Sequence, residues 1–182
     1  DKNGKEYMWQ RDPKFWARTS PVLFPAIGNS RDGKTMFDGA WYELPKHGFA
    51  KDMEFEAEKR GEEEVSLTVG DTEETRRHYP YRFGFTMDYR LTDDGIEIRY
   101  QVENRDSKDM YYCLGAHPGF VCPMEEGERF EDYRLQFERE EDSYGIVYDL
   151  KALEFDRTSR GYHLDHTSVL PLAYELFDSD AI

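Results

Sequence analysis

The chain has 182 residues, with 24 Lys and Arg against 39 Asp and Glu, and a formal net charge of −15. That balance excludes the basic footprint that nucleic acid or an anionic membrane surface requires; its simplest reading is solubility. Thirteen Tyr, twelve Phe and three Trp are too many aromatics for a disordered acidic chain, so the length points to one domain, residues 1–182, with a sizeable core.

The N-terminus, Asp1-Lys2-Asn3-Gly4, has no basic-then-apolar signal segment. Glu6–Trp9 is a short apolar run that reads as the second arm of a hairpin whose first arm is absent, and Asp12-Pro13 breaks it. Phe15-Trp16 leads to Arg18-Thr19-Ser20-Pro21, and Val22–Pro25 is an apolar segment bounded by prolines. Ser30–Lys34 is a loop. Met36-Phe37 and Trp41–Leu44 are short strands around an Asp38-Gly39 turn. Pro45–Asp52 places His47 in a loop.

From there the pattern becomes regular. Phe55 and Ala57 alternate with charged residues, and Glu58–Glu64 is a charged turn. Val65, Leu67 and Val69 share one face of a strand. Asp71–Arg77 is a loop or one helical turn. Phe83, Phe85, Met87, Tyr89 and Leu91 form the clearest strand, Thr92-Asp93-Asp94-Gly95 turns it, and Ile96, Ile98, Tyr100 and Val102 return with the same period. A second turn, Asn104–Asp109, leads to Met110–Leu114.

Next comes Gly115-Ala116-His117-Pro118-Gly119. Pro118 pushes His117 towards extended backbone, and the small neighbours leave space around its ring. Read from the residues alone, this is either an imidazole presented from a strand end or a sharp bend. Cys113, two residues before Gly115, reads as core. Cys113 and Cys122 lack metal-ligand spacing and predict a cytoplasmic protein with two thiols, although one disulfide between them stays open. No metal or cofactor is called for. After the charged loop Glu125–Asp132, Tyr133, Leu135 and Phe137 alternate again. Asp142–Gly145 turns into Ile146–Tyr148, and Arg157–Gly161 and Asp165–Ser168 are polar breaks. His78, His163 and His166 read as solvent-facing. Leu170–Ile182 reads as a short helix before a strand that is just beginning. Many short strands separated by turns predict an all-β antiparallel sandwich.

Several of these segments together resemble the aldose 1-epimerase (galactose mutarotase-like) family, in its LacX-like branch. The pieces are Asn3–Trp9 with Asp12-Pro13 and Trp16, then Pro21-Val-Leu-Phe-Pro-Ala-Ile-Gly28 and His47-Gly-Phe-Ala50. Tyr79-Pro-Tyr-Arg-Phe83, Val102-Glu-Asn104, Gly115-Ala-His-Pro-Gly-Phe120 and Leu176-Phe-Asp-Ser-Asp180 follow in the family's order. The resemblance implies a large antiparallel β-sandwich, the galactose mutarotase-like supersandwich. Here the copy is expected to be incomplete, because the sequence starts within a hairpin and stops as a strand begins.

The family interconverts the α and β anomers of free aldoses by acid/base ring opening, so the implied partner is a small-molecule aldose. The resemblance gives His117 the acid role and His47 a supporting role. An imidazole both gives and takes a proton near neutral pH, as a reversible opening requires. Asp180 matches a sugar-hydroxyl-binding aspartate; the alternative is a loop carboxylate. Arg18 is either a site cation or a partner for the acidic surface, and Arg31 a cationic donor or a solvated loop charge. Exposed aromatics such as Phe49, Phe120 or Trp41 are candidates to stack on a pyranose.

Three departures qualify the resemblance. The family's base is a glutamate in a Glu-Pro-Trp-like motif, which this sequence lacks. Asn29 stands where LacX-like members often carry arginine, and Lys51 where arginine is usual; lysine cannot make a planar bidentate grip on a phosphate. The expected function is therefore a mutarotase-like enzyme whose base glutamate is missing from this sequence. The alternatives are a non-catalytic carbohydrate-binding sandwich or a purely structural β-domain. Unpaired sheet edges would invite association with a second chain.

Overall fold

The structure is a computed structural model that describes residues 4–149, 151 and 154–178. It divides into two compact units: Val22–Ala116 form one, and the segments before and after them form the other.

The central unit contains β1 (Val22–Leu23), β2 (Lys34–Phe37), β3 (Ala40–Glu43), β4 (Glu56–Lys59), β5 (Glu64–Gly70), the short helix α1 (Glu73–His78), β6 (Phe83–Leu91), β7 (Ile96–Asn104) and β8 (Gly115–Ala116). Strands β4-β5-β6-β7 make a four-stranded sheet, β2 pairs with β3 around the Asp38-Gly39 turn, and β1 pairs with β8. All these ladders are antiparallel. The alternation read from the sequence sets the register. Val69, Phe85 and Val102 stand in one row across β5-β6-β7, and Leu67, Met87 and Tyr100 in the next. A side-chain period of two makes any one-residue slip expose these rows, so the pairing is strongly specified.

The inward rows pack against Val22, Phe24, Phe37, Leu44, Ala50, Tyr79 and Tyr81. Phe24 is fully buried, stacked on Phe85 with ring centroids 4.9 Å apart and edge-on to Phe83 and Tyr79. The Tyr79 hydroxyl donates to the Tyr111 carbonyl at 2.9 Å, and burial pushes its phenol above the usual range. Helix α1 settles the segment left open between loop and helical turn. The Thr72 side chain accepts the Thr75 N–H at 3.1 Å, and Thr75 Oγ1 accepts the Thr72 N–H at 2.8 Å. This reciprocal cap, with Glu73 and Glu74 in the first turn and Arg76 and Arg77 in the last, suits the helix dipole.

In the other unit, Glu6–Trp9 does find a pairing partner. Met8 bridges Phe120, the Trp9 N–H donates to the Gly119 carbonyl at 2.9 Å, and the Val121 N–H to the Tyr7 carbonyl at 2.9 Å. The later part of this unit is a long antiparallel ribbon of β9 (Arg134–Asp149) and β10 (Glu154–Pro171). The turn expected at Asp142–Gly145 lies inside β9, and the polar breaks expected near 157–161 and 165–168 lie inside β10. Those polar stretches coincide with register shifts, where extra residues bulge out of the ladder without ending it. A 3-10 turn, Tyr174–Phe177, supplies the expected short helix, and the strand anticipated after it falls outside the described residues.

Among the glycines of the central unit, Gly48 leaves the least room for a Cβ. It bridges Phe24 with φ +69°, and a Cβ there would sit 2.1 Å from the Phe24 carbonyl oxygen. Gly48→Ala is expected to cost about 3 kcal/mol or more, from overpacking together with left-handed backbone strain. Gly61→Ala, where a Cβ meets nothing within 4 Å, should stay within about 0.5 kcal/mol of the parent. Urea unfolding midpoints of the two variants check this.

Candidate functional site

The histidine loop of the central unit is built on Phe24. The Phe24 carbonyl accepts the N–H groups of Phe49 and Ala50, both at 3.1 Å. His47 and Gly48 both take left-handed backbone, with φ 65° and 69°, which reverses the chain ahead of the 3-10 turn Ala50–Asp52. Left-handed φ is uncommon for a residue with a Cβ, so its use at His47 marks a position fixed by its surroundings.

Those surroundings are a reciprocal pair with Gly28. The His47 N–H donates to the Gly28 carbonyl at 2.8 Å, and the Gly28 N–H donates to His47 Nδ1 at 3.0 Å. A ring nitrogen that accepts carries no proton, so the neutral imidazole is held with its proton on Nε2. Lys51 locks the same loop. Its ammonium donates to the Lys46 carbonyl at 3.0 Å and to the Gly48 carbonyl, and it stands 3.3 Å from the Asp52 carboxylate.

Phe49 differs from the expected exposed platform. It is half-buried, because its ring packs on Tyr79 and Phe83 at 6.3 and 6.1 Å between centroids. Trp41 and Phe120 are exposed, as expected. A cavity of about 670 Å³ opens beside this loop, lined among others by Asn29, Gly33, Lys46, Phe49 and His78. Asn29 therefore faces a cavity at the position where arginine was anticipated. Arg31 is exposed at the start of a 3-10 turn, Arg31–Gly33.

In the other unit, His117 directly follows the last residue of β8, a strand end as read from the sequence. Its N–H donates to the Pro21 carbonyl at 3.1 Å, and its exposed ring lies 5.0 Å from the Trp16 ring at an interplanar angle of 45°. Trp16 is itself held. Its carbonyl accepts the Trp9 indole N–H at 2.7 Å, and Thr19 Oγ1 donates to the Trp9 carbonyl at 2.9 Å. Gly119 fits against the Trp16 indole and the Trp9 Cβ; a Cβ on Gly119 would come within 2.8 Å of the first and 3.0 Å of the second. So Gly119, beyond giving the histidine room, leaves space for the Trp16 indole.

Arg18 is exposed and lies two residues from Trp16 in this unit. Asp180 lies outside the described residues. Cys113, read as core, is exposed: it lies in the irregular segment before β8, and its N–H donates to the Pro25 carbonyl at 2.9 Å. Sequence reasoning missed Trp16, Gly28 and Lys51 as the groups that orient the two histidines. Trp16 and Gly28 stand in the segments that carried the resemblance. Nothing local in the sequence signals that a glycine amide 19 residues away will face an imidazole.

Comparison with known proteins agrees with this architecture. The family model for aldose 1-epimerase matches residues 1–176. The chromosomal LacX protein of Lactococcus lactis subsp. lactis is 35% identical over 189 residues, covering 100% of this chain and 63% of that protein. A galactose mutarotase related enzyme from Lactobacillus acidophilus superposes with TM-score 0.87 at 32% identity, over 98% of this chain and 58% of its own. A galactose mutarotase-like protein from Lactobacillus casei superposes with TM-score 0.80 at 31% identity, over 96% of this chain and 59% of its own. The chain thus spans about three fifths of the length of the relatives it matches. Its fold is the all-β, antiparallel galactose mutarotase-like fold, and the chain belongs to the aldose 1-epimerase family.

Proposed function

We propose that this chain carries the proton-donating part of a mutarotase-like site that opens and recloses the ring of a free aldose. In that reaction an acid protonates the ring oxygen while a base removes the anomeric hydroxyl proton. The open aldehyde then rotates, and the same groups act in reverse. His117 is the proposed acid. Family membership over residues 1–176 carries the reading, supported by an exposed imidazole that a backbone hydrogen bond and an indole hold at a strand end.

His47 is the proposed supporting donor. The Gly28 N–H donated to Nδ1 directs the ring's own proton to Nε2, the nitrogen proposed to meet a sugar oxygen. Arg18, Arg31 and Asp180 are proposed to contact hydroxyls, and Phe49 to flank the ring. Lys51 favours an uncharged sugar over a phosphorylated one, since loop carbonyls and Asp52 already engage its ammonium. The base is the glutamate of the family's Glu-Pro-Trp-like motif, which this sequence does not contain. The alternative reading is a carbohydrate-binding sandwich without catalysis.

Full-length protein is expected to accelerate anomer exchange of galactose or glucose, followed by polarimetry or exchange NMR. His117→Ala should slow exchange by about 10²-fold or more, the range typical of losing a general acid. Saturable sugar binding with no acceleration in the parent would select the binding-only reading, and unchanged exchange in a folded His117→Ala protein would remove His117 as the acid. Long-range ¹H–¹⁵N correlation spectra at pH 8 should show His47 with a protonated Nε2 and a bare Nδ1; the opposite tautomer would refute its donor role.

A further inference from the structure

We infer that the β9–β10 ribbon contains a binding site for one divalent transition-metal ion of the zinc class, formed by Asp142, His163, Asp165 and His166. The ladder itself assembles the site. Leu164 pairs with Ser143 and Thr167 with Glu141, so two residues of β10, Asp165 and His166, stand opposite the single residue Asp142. His163 is one pair further along, opposite Tyr144.

In an unbroken strand His163 and Asp165 would share a face and His166 would take the other. The bulge changes that. His166 takes left-handed backbone, φ 44°, and its Nε2 reaches to 3.5 Å from Asp142 Oδ2, while His163 Nε2 stands 3.0 Å from Asp142 Oδ1. Bulges often re-aim a side chain in this way. The ligand atoms of Asp142, His163 and Asp165 all lie within 4.8 Å of one another; His166 stands outside this group and would complete the set by turning its exposed ring.

The donor set and spacing suit a small tetrahedral ion. Zinc takes imidazole nitrogen and carboxylate oxygen at about 2.0–2.2 Å, which places neighbouring ligand atoms of a tetrahedron about 3.3–3.6 Å apart. The His163 Nε2 to Asp142 Oδ1 separation of 3.0 Å needs only small adjustment to reach that value, while His166 approaches the other oxygen of that carboxylate and has to turn to join the set. Two nitrogens with two oxygens favour zinc or cobalt over calcium or magnesium, which take oxygen ligands. The His163 ring is also held in place. It lies parallel to Tyr144 at 4.0 Å, with an interplanar angle of 9°, and the Arg160 guanidinium sits 4.6 Å from the Tyr144 centroid. Arg160 is the positive charge such an ion has to tolerate, and the two carboxylates offset it.

Isothermal titration of chelator-treated protein with Zn²⁺ tests the site, with Co²⁺ as the spectroscopic probe. One equivalent should bind, and Co²⁺ should give the visible bands of a tetrahedral nitrogen–oxygen site without thiolate charge transfer. The His163→Gln/His166→Gln double variant should weaken binding by more than the roughly 10–100-fold that losing an outer partner costs. A Cys113→Ser/Cys122→Ser variant should bind as the parent does. No Zn²⁺ binding, binding that survives in the double histidine variant, or binding that disappears with the cysteines would each overturn the proposal. Both His163 and His166 lie on an exposed ribbon, and far-ultraviolet circular dichroism verifies that the variants are folded.

Discussion

Phe24 is the residue through which the central unit's core and its histidine loop constrain each other. Its side chain fills the middle of the aromatic cluster, against Phe85, Phe83 and Tyr79. Its carbonyl accepts two amides of the loop that carries His47. Burying a ring of this size contributes on the order of 2–3 kcal/mol, while the carbonyl would be costly to leave without partners in such surroundings. Satisfying both requires the loop to approach within van der Waals contact of the strand, and only a residue without a Cβ allows that. Gly48 therefore follows from Phe24, and the left-handed pair His47-Gly48 follows from the need to turn there. The imidazole is positioned by the packing of a core that it does not join.

The other histidine is fixed by a different device with the same logic. The His117 main chain is tied to Pro21, and its ring rests on an indole whose own carbonyl is engaged by a second indole. In both places backbone groups and aromatic bulk set the position of the ring. Proton transfer depends on such placement, because a small displacement of the donor from the acceptor oxygen costs rate steeply. Groups that orient a ring in this way belong to the site although they touch no substrate.

Legibility in the sequence followed from how many physical constraints acted on each segment. Phe83–Leu91 and Ile96–Val102 were readable because one face is buried, and a period of two then becomes obligatory. Asp12-Pro13, Asp38-Gly39 and Asp93-Asp94-Gly95 were readable because turn backbone admits few residue types. The β9–β10 ribbon was not, because polar residues occupy both its faces and its bulges mimic loop composition. Phe49 was misjudged for a related reason: a Phe beside a His in a loop looks exposed until long-range contacts with Tyr79 and Phe83 are known. For the proposed site, sequence motifs singled out the two histidines, while the groups that hold them came from contacts between distant segments.

Electrostatics bears on the kind of sugar such a site accepts. A net charge of −15 repels anions at long range, and only locally concentrated, unengaged cations would overcome that for a phosphorylated sugar. The central unit does not offer Lys51 for this purpose. Its side chain is largely buried, and its ammonium donates to two loop carbonyls and faces Asp52. Moving it to a phosphate would break those bonds and release the loop that places His47. At the neighbouring position Asn29 contributes an amide, a group suited to single hydrogen bonds with hydroxyls. Where a phosphate-binding relative would need arginines, this chain has one lysine committed to structure and one neutral amide. That combination supports the proposed reading of a neutral aldose as substrate.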